Sequence, residues 1–96
     1  MRPEKRCVLV RVRGRVQGVF FRHHSKQVAE RLKLKGWVRN CPDGSVETLI
    51  CGDTTQIEAM QSWLAHGPPL AEVLDICTEP YQGTDCYPSD FRICQS

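Results

Sequence analysis

The pattern in this chain best suited to chemistry is Gly14-Arg15-Val16-Gln17-Gly18-Val19-Phe20-Phe21-Arg22. It begins where an alternating run (Val8, Val10, Val12) stops and ends where a helical pattern starts. Two glycines free the backbone for close approach and unusual φ. Arg22 then falls in the first turn of a helix, where orphan N–H groups and the helix dipole already favour an anion. Together these features suggest a small pocket for phosphate or carboxylate. A connecting loop with Arg22 as a solvated first-turn residue fits the same residues, and on their own they leave both readings open. The neighbouring titratable groups add little. His24 lies on the apolar stripe of the helix and reads as a packed, hydrogen-bonded histidine, and His23 reads as a surface residue. Cys41 has no paired base that would make it a nucleophile. The six cysteines (7, 41, 51, 77, 86 and 94) form no C-x-x-C pair, and His23, His24 and His66 do not complete a zinc spacing. A structural metal is therefore not expected, and most of the cysteines read as reduced, inert thiols.

The totals bound the setting. Ninety-six residues suit one domain, here 1–96, with a modest core. A hydrophobic content of 41% and a charged content of 25% are ordinary for a globular protein. No apolar run approaches a membrane span and no signal-peptide core follows the basic N-terminus, so the expected location is cytoplasmic. The net charge of +2 hides an asymmetry. Residues 1–40 carry twelve Lys/Arg and two Asp/Glu, whereas residues 41–96 carry one and nine. Such a split can mark an anionic partner, nucleic acid included. The favoured reading is that the two halves fold together and neutralise each other.

The elements that must position Arg22 follow in order. Residues 1–6 read as a lead-in. Cys7 to Arg13 alternates as a strand with one buried face. Phe20, His24, Val28, Arg31 and Leu32 then fall at helical spacing with Ala29 alongside, which predicts a helix from about Phe21 to Leu34 with Gly36 as its stop. Gly36–Asn40 is a second strand, Cys41-Pro42-Asp43-Gly44 a turn, and Ser45–Cys51 a third strand. A second helix starts near Asp53–Thr55, with Thr55-x-x-Glu58 as a capping box or Asp53 or Thr54 as the cap. Its stripe is Ile57, Met60, Trp63 and Leu64, and Gly67-Pro68-Pro69 ends it. Ala71–Cys77 is a fourth strand, Glu79–Asp90 an irregular excursion, and Phe91–Cys94 a short C-terminal edge strand.

This order, βαββαβ, predicts an α+β ferredoxin-like sandwich: an antiparallel sheet with both helices on one face. The third strand then lies between the first and second and antiparallel to both, which proposes a register. Cys7 faces Cys51, Leu9 faces Leu49 and Arg11 faces Glu47. Behind the sheet Val8, Val10 and Val12 meet Ile50, Thr48 and Val46. The register also brings Cys7 and Cys51 near enough to oxidise. Because the first and second strands are parallel, the Gly14–Arg22 loop and Asn40 sit at one sheet edge. Their backbones should be about 10 Å apart, two inter-strand spacings. If Val38 packs beneath the helices, Asn40 points to the loop side, and Arg22 and Asn40 can address one small ligand.

The same residues carry a family resemblance. Gly14–Arg22, followed by Gly36-Trp37-Val38-Arg39-Asn40 and Asp43-Gly44, closely resembles the acylphosphatases. Gly67-Pro68 and Asp90-Phe91-Arg92-Ile93 extend the likeness over nearly the whole chain. The resemblance implies an enzyme that hydrolyses carboxyl phosphates to carboxylate and inorganic phosphate, without cofactor or metal. It also implies roles: backbone amides of Gln17, Gly18, Val19 and Phe20, with the Arg22 guanidinium, hold the phosphate, and Asn40 positions water. The implied partners are a small-molecule acyl phosphate and its phosphate product, with no nucleic acid, no membrane and a monomeric chain. The cysteines and the Tyr81–Ser89 stretch are not part of the family pattern.

The chemistry is consistent with that implication. Phosphoryl transfer depends mainly on positioning and charge stabilisation. Arg22 can grip phosphoryl oxygens bidentately, and fixed amides can stay aimed at the charge. Asn40 is no base, but its carboxamide can orient a water. A carboxylate leaving group needs no protonation, its conjugate acid having a pKa near 4, so a site without general acid or covalent nucleophile suits a mixed anhydride. Two rivals remain at this level. One is a catalytically silent anion-binding module. The other is an RNA-binding sheet, which would need stacked aromatics where the first and third strands offer Leu9, Arg11, Leu49 and Glu47.

Overall fold

Val8, Val10 and Val12 put three β-branched side chains on one face of a strand, which favours extended backbone and a dry neighbour. In the computed structural model, which describes residues 5–18, 20–81 and 90–94, that run is part of β1 (Lys5–Arg15). There follow α1 (Phe21–Arg31), β2 (Lys35–Asn40), β3 (Val46–Asp53), α2 (Thr54–His66), β4 (Glu72–Pro80) and β5 (Phe91–Cys94). The sheet order is β4-β1-β3-β2-β5. β3 runs antiparallel to both β1 and β2, β4 is antiparallel to β1, and β5 joins β2 in parallel. This is the expected ferredoxin-like α+β layout, with a parallel fifth strand making the sheet mixed. No helix among the described residues is long and apolar enough to cross a membrane.

The register between β1 and β3 is the expected one, from Cys7 opposite Cys51 to Val12 opposite Val46. Cys7 and Cys51 form a disulfide. On the helix side, Val8, Val10, Val12, Val38, Val46 and Ile50 meet Ala29 of α1 and Ile57, Met60 and Leu64 of α2. Full burial of each larger aliphatic contributes about 1.5–3 kcal/mol. The one hydroxyl in the middle of this layer, Thr48, donates to the Trp37 carbonyl at 2.7 Å, so its burial leaves no donor unpaired.

On the opposite sheet face one carboxylate of the acidic half meets two arginines of the basic half. Glu47, buried in the central strand, accepts from Arg11 Nη2 at 3.0 Å and from Arg39 Nη2 and Nε at 2.6 and 2.9 Å. Arg39 also lies over the Trp37 ring, 5.6 Å from its centroid. Burial alone would push the Glu47 carboxyl up, but the hydrogen bonds and charges of Arg39 and Arg11 more than offset it, and the carboxyl titrates below its usual range. A carboxylate depressed on folding stabilises the fold above its unfolded pKa of about 4.3, and that contribution is lost as pH falls through the folded value. Acid titration of stability should therefore steepen below about pH 4 in the native protein, and Glu47→Gln should flatten that limb of a Tm-against-pH curve.

Three local expectations need correction. α1 stops at Arg31 rather than Leu34, and Gly36 is not its stop. The helix closes in a Schellman motif: Leu34 N–H donates to Ala29 O at 2.8 Å and Lys33 N–H to Glu30 O at 3.1 Å. Lys33 takes the left-handed position itself, with φ 61°. Gly36 lies inside β2, where a Cβ would stand 1.8 Å from Leu49 O. Because a left-handed lysine costs about 1–2 kcal/mol, Lys33→Gly should raise stability in urea unfolding by about 0.5–1 kcal/mol.

The second correction concerns the stripe of α1. Its buried residues are Phe21, Ser25 and Ala29, while Phe20 is exposed and His24 is half-buried without a side-chain hydrogen bond among the described residues. Phe20 precedes the helix as its N-cap, so helical periodicity does not apply to it. The third concerns strand ends. β4 runs on to Pro80, and β1 is longer at both ends, with a register shift against β4 between Arg13 and Gly14. At α2 the cap is Asp53, one of the expected options, and Gln56 Oε1 reaches back to its N–H at 3.3 Å. Most of the expected excursion (82–89) and Cys86 lie outside the described residues.

Candidate active site

β1, β2 and β5 all point the same way, so their C-terminal ends meet at one sheet edge, and the site is built there. After Arg15 the chain turns through Val16, which is fully buried and anchors the loop. Gly18 has φ 74°, with nothing within 4 Å of where a Cβ would be, so this glycine is needed for its backbone angle and not for space. Phe20 follows at φ 59°, ψ 25°, and α1 begins with no side chain capping it. Its first-turn N–H groups are therefore left for something other than a cap.

Arg22, in that first turn, is half-buried, and its Nη1 donates to the Cys94 carbonyl at 3.1 Å. Among the described residues no carboxylate neutralises it. Asn40 ends β2 on the same face as buried Val38, as alternation requires. Its Oδ1 is buried and has no hydrogen-bond partner among the described residues. Arg22 and Asn40 line one pocket of about 240 Å³ with Val16, Gly18, Phe20, Phe21 and His23. The floor is stiffened from below, because the Phe21 ring packs against Trp63 of α2 with centroids 5.7 Å apart.

Of the residues expected at the site, Gly18, Phe20, Arg22 and Asn40 are brought together. Val19 lies outside the described residues. Gln17 is near, but its side chain turns away from the pocket. Its Nε2 donates to Cys41 O at 2.9 Å and Ser45 O at 2.8 Å. It thereby clasps the loop to the β2–β3 turn one residue beyond Asn40, a turn closed by Gly44 N–H to Cys41 O at 3.1 Å and by Asp43, which accepts from Ser45 Oγ and N–H. The hydrogen bonds from the Ser45 hydroxyl and amide hold the Asp43 carboxyl below its ordinary range. Gln17→Ala removes both loop bonds without touching the pocket lining. The expected result is a fall of about tenfold to a hundredfold in kcat/KM from a loosened loop, read from steady-state kinetics.

Two features escaped the sequence reading. The Cys94 carbonyl that holds Arg22 is a backbone group, which no residue type announces. His23 stands at the pocket rim, where only its adjacency to Arg22 hinted at it.

The five-strand sheet with two helices defines an α+β sandwich of the ferredoxin-like class, with Arg22 and Asn40 around one small cavity. The chain belongs to the acylphosphatase family: the family model for Acylphosphatase matches residues 8–93. It is 49% identical over 73 residues to an acylphosphatase of Nitrosococcus oceani, covering 76% of this chain and 82% of that one. Among solved structures it is similar to an acylphosphatase from Coxiella burnetii, with a TM-score of 0.86 and 42% identity over 94% of this chain and 93% of that one. The acylphosphatase from Bacillus subtilis gives a TM-score of 0.87 at 32% identity, with 95% and 99% covered. The protein is thus an acylphosphatase-type hydrolase, and its general reaction is hydrolysis of acyl phosphates.

Proposed function

We propose that hydrolysis proceeds by in-line attack of a water held by Asn40 on a phosphoryl group held by the loop amides of Gln17–Phe20 and by Arg22. The observation that carries this reading is Asn40, which lines the Arg22 pocket and whose buried Oδ1 has no hydrogen-bond partner among the described residues. A buried acceptor with no donor costs about 1–3 kcal/mol, which a donating water or ligand would recover. Arg22 keeps its charge for the phosphoryl oxygens, because the bond it makes among the described residues is to a neutral carbonyl. Water attacks phosphorus, the P–O bond to the acyl group breaks, the electron pair leaves on a carboxylate that needs no proton, and both protons of the water stay on the phosphate. The products are carboxylate and inorganic phosphate. The setting proposed is that expected from the sequence: a cytoplasmic monomer, its pocket assembled within one chain, acting on a small molecule and not on nucleic acid.

Benzoyl phosphate hydrolysis, followed with and without a chelator and with inorganic phosphate as competitor, tests this. Chelator-insensitive turnover with competitive inhibition by phosphate is expected. Phosphate binding without turnover would leave a silent anion-binding module, and chelator-sensitive turnover would contradict the metal-free route.

A further inference from the structure

Phe20 combines two features that the fold does not require. Its side chain is 68% exposed, so core burial does not hold it in place. Its backbone sits at φ 59°, a left-handed position that costs a bulky residue about 1–2 kcal/mol. Gly or Asn would occupy this N-cap at less cost. Yet the residue lines the Arg22 pocket, with the His23 ring 6.3 Å away at a 51° tilt. The other apolar residues of the lining, Val16 and Phe21, are buried. Among the described lining residues, Phe20 is therefore the apolar side chain still open to an incoming ligand. With the phosphoryl group of an acyl phosphate on Arg22, the exposed apolar surface of the lining left to meet its acyl group is this ring.

We infer that Phe20, with His23 beside it, is a specificity-determining surface that favours acyl phosphates with aromatic or bulky apolar acyl groups over small ones. The inference rests on the phosphate placement proposed above. Strain at a binding position is a common signature of function, and an aromatic ring stacked on an acyl group discriminates by about 2–10-fold.

The test is a ratio. In kcat/KM, the preference for benzoyl phosphate over acetyl phosphate should fall about tenfold in Phe20→Gly and two- to threefold in His23→Ala, and should survive in Phe20→Tyr. Titration with the non-hydrolysable benzoylphosphonate and acetylphosphonate should show the same change in binding ratio. A ratio unchanged in Phe20→Gly overturns the inference, as does a loss shared by Phe20→Tyr. A lower Tm in Phe20→Gly, where relief of the left-handed strain should hold or raise it, would mark the ring as a packing element and likewise overturn it. If the wild type hydrolyses neither phosphate, the mechanism proposed above fails by itself, and the phosphonate ratio still decides the role of Phe20.

Discussion

Asn40→Ala is expected to lower kcat for benzoyl phosphate by about 10²–10³-fold, while inorganic phosphate still binds. The carboxamide would act on the attacking water and not on the phosphoryl group, so its loss should appear in kcat far more than in KM. Stability should hold or rise by up to about 1 kcal/mol, since the substitution deletes a buried acceptor that has no donor among the described residues. Losing activity while keeping stability is the expected mark of a group placed for reaction and not for folding. Steady-state kinetics, phosphate titration and urea unfolding of one variant check all three. A variant that loses phosphate binding along with turnover would move Asn40 into the anion cradle and away from water.

Arg22→Ala should abolish both functions together. A guanidinium clamp on a transferring phosphoryl group is worth about 10³–10⁵ in rate, and the same contacts bind the inorganic phosphate product. Arg22→Lys should not restore activity. A single ammonium cannot reach the Cys94 carbonyl and also present a planar pair of donors to the phosphate. Folding should be little affected, because the residue is half-buried and forms one neutral hydrogen bond among the described residues. Calorimetric titration with phosphate on Arg22→Ala and Arg22→Lys provides the check, and unaltered affinity in the lysine variant would contradict a bidentate grip.

The β1–β3 register was legible in the sequence because several independent constraints agree on it. Arg11 must find a partner for its charge, the valines must share a face, and the topology allows β3 only one place. Asn40 was legible for a related reason, since two-residue alternation from buried Val38 fixes its side. The end of α1 was not legible. Its left-handed residue is a lysine, imposed by the Schellman bonds and by the burial of Leu34, while the nearby glycine serves close strand packing instead. Phe20 was misread because a helical period was extended one residue beyond the helix. Arg22 falls in the first turn of α1 as expected, but its carbonyl partner depends on β5 lying parallel beside β2, a pairing that no side-chain pattern marks.

The disulfide between Cys7 and Cys51 joins residues 44 apart in sequence. Gly18, Phe20, Arg22 and Asn40 all fall between those two cysteines. Oxidised, the chain is thus a covalent ring that contains both halves of the site, with α2, β4 and β5 as a tail outside it. Closing a ring of this size withdraws conformational entropy from the unfolded chain worth about 4 kcal/mol on the loop-entropy model. Unfolding the oxidised protein would separate arginine from asparagine by no more than that ring permits, so the search that rebuilds the pocket begins from a closed circle.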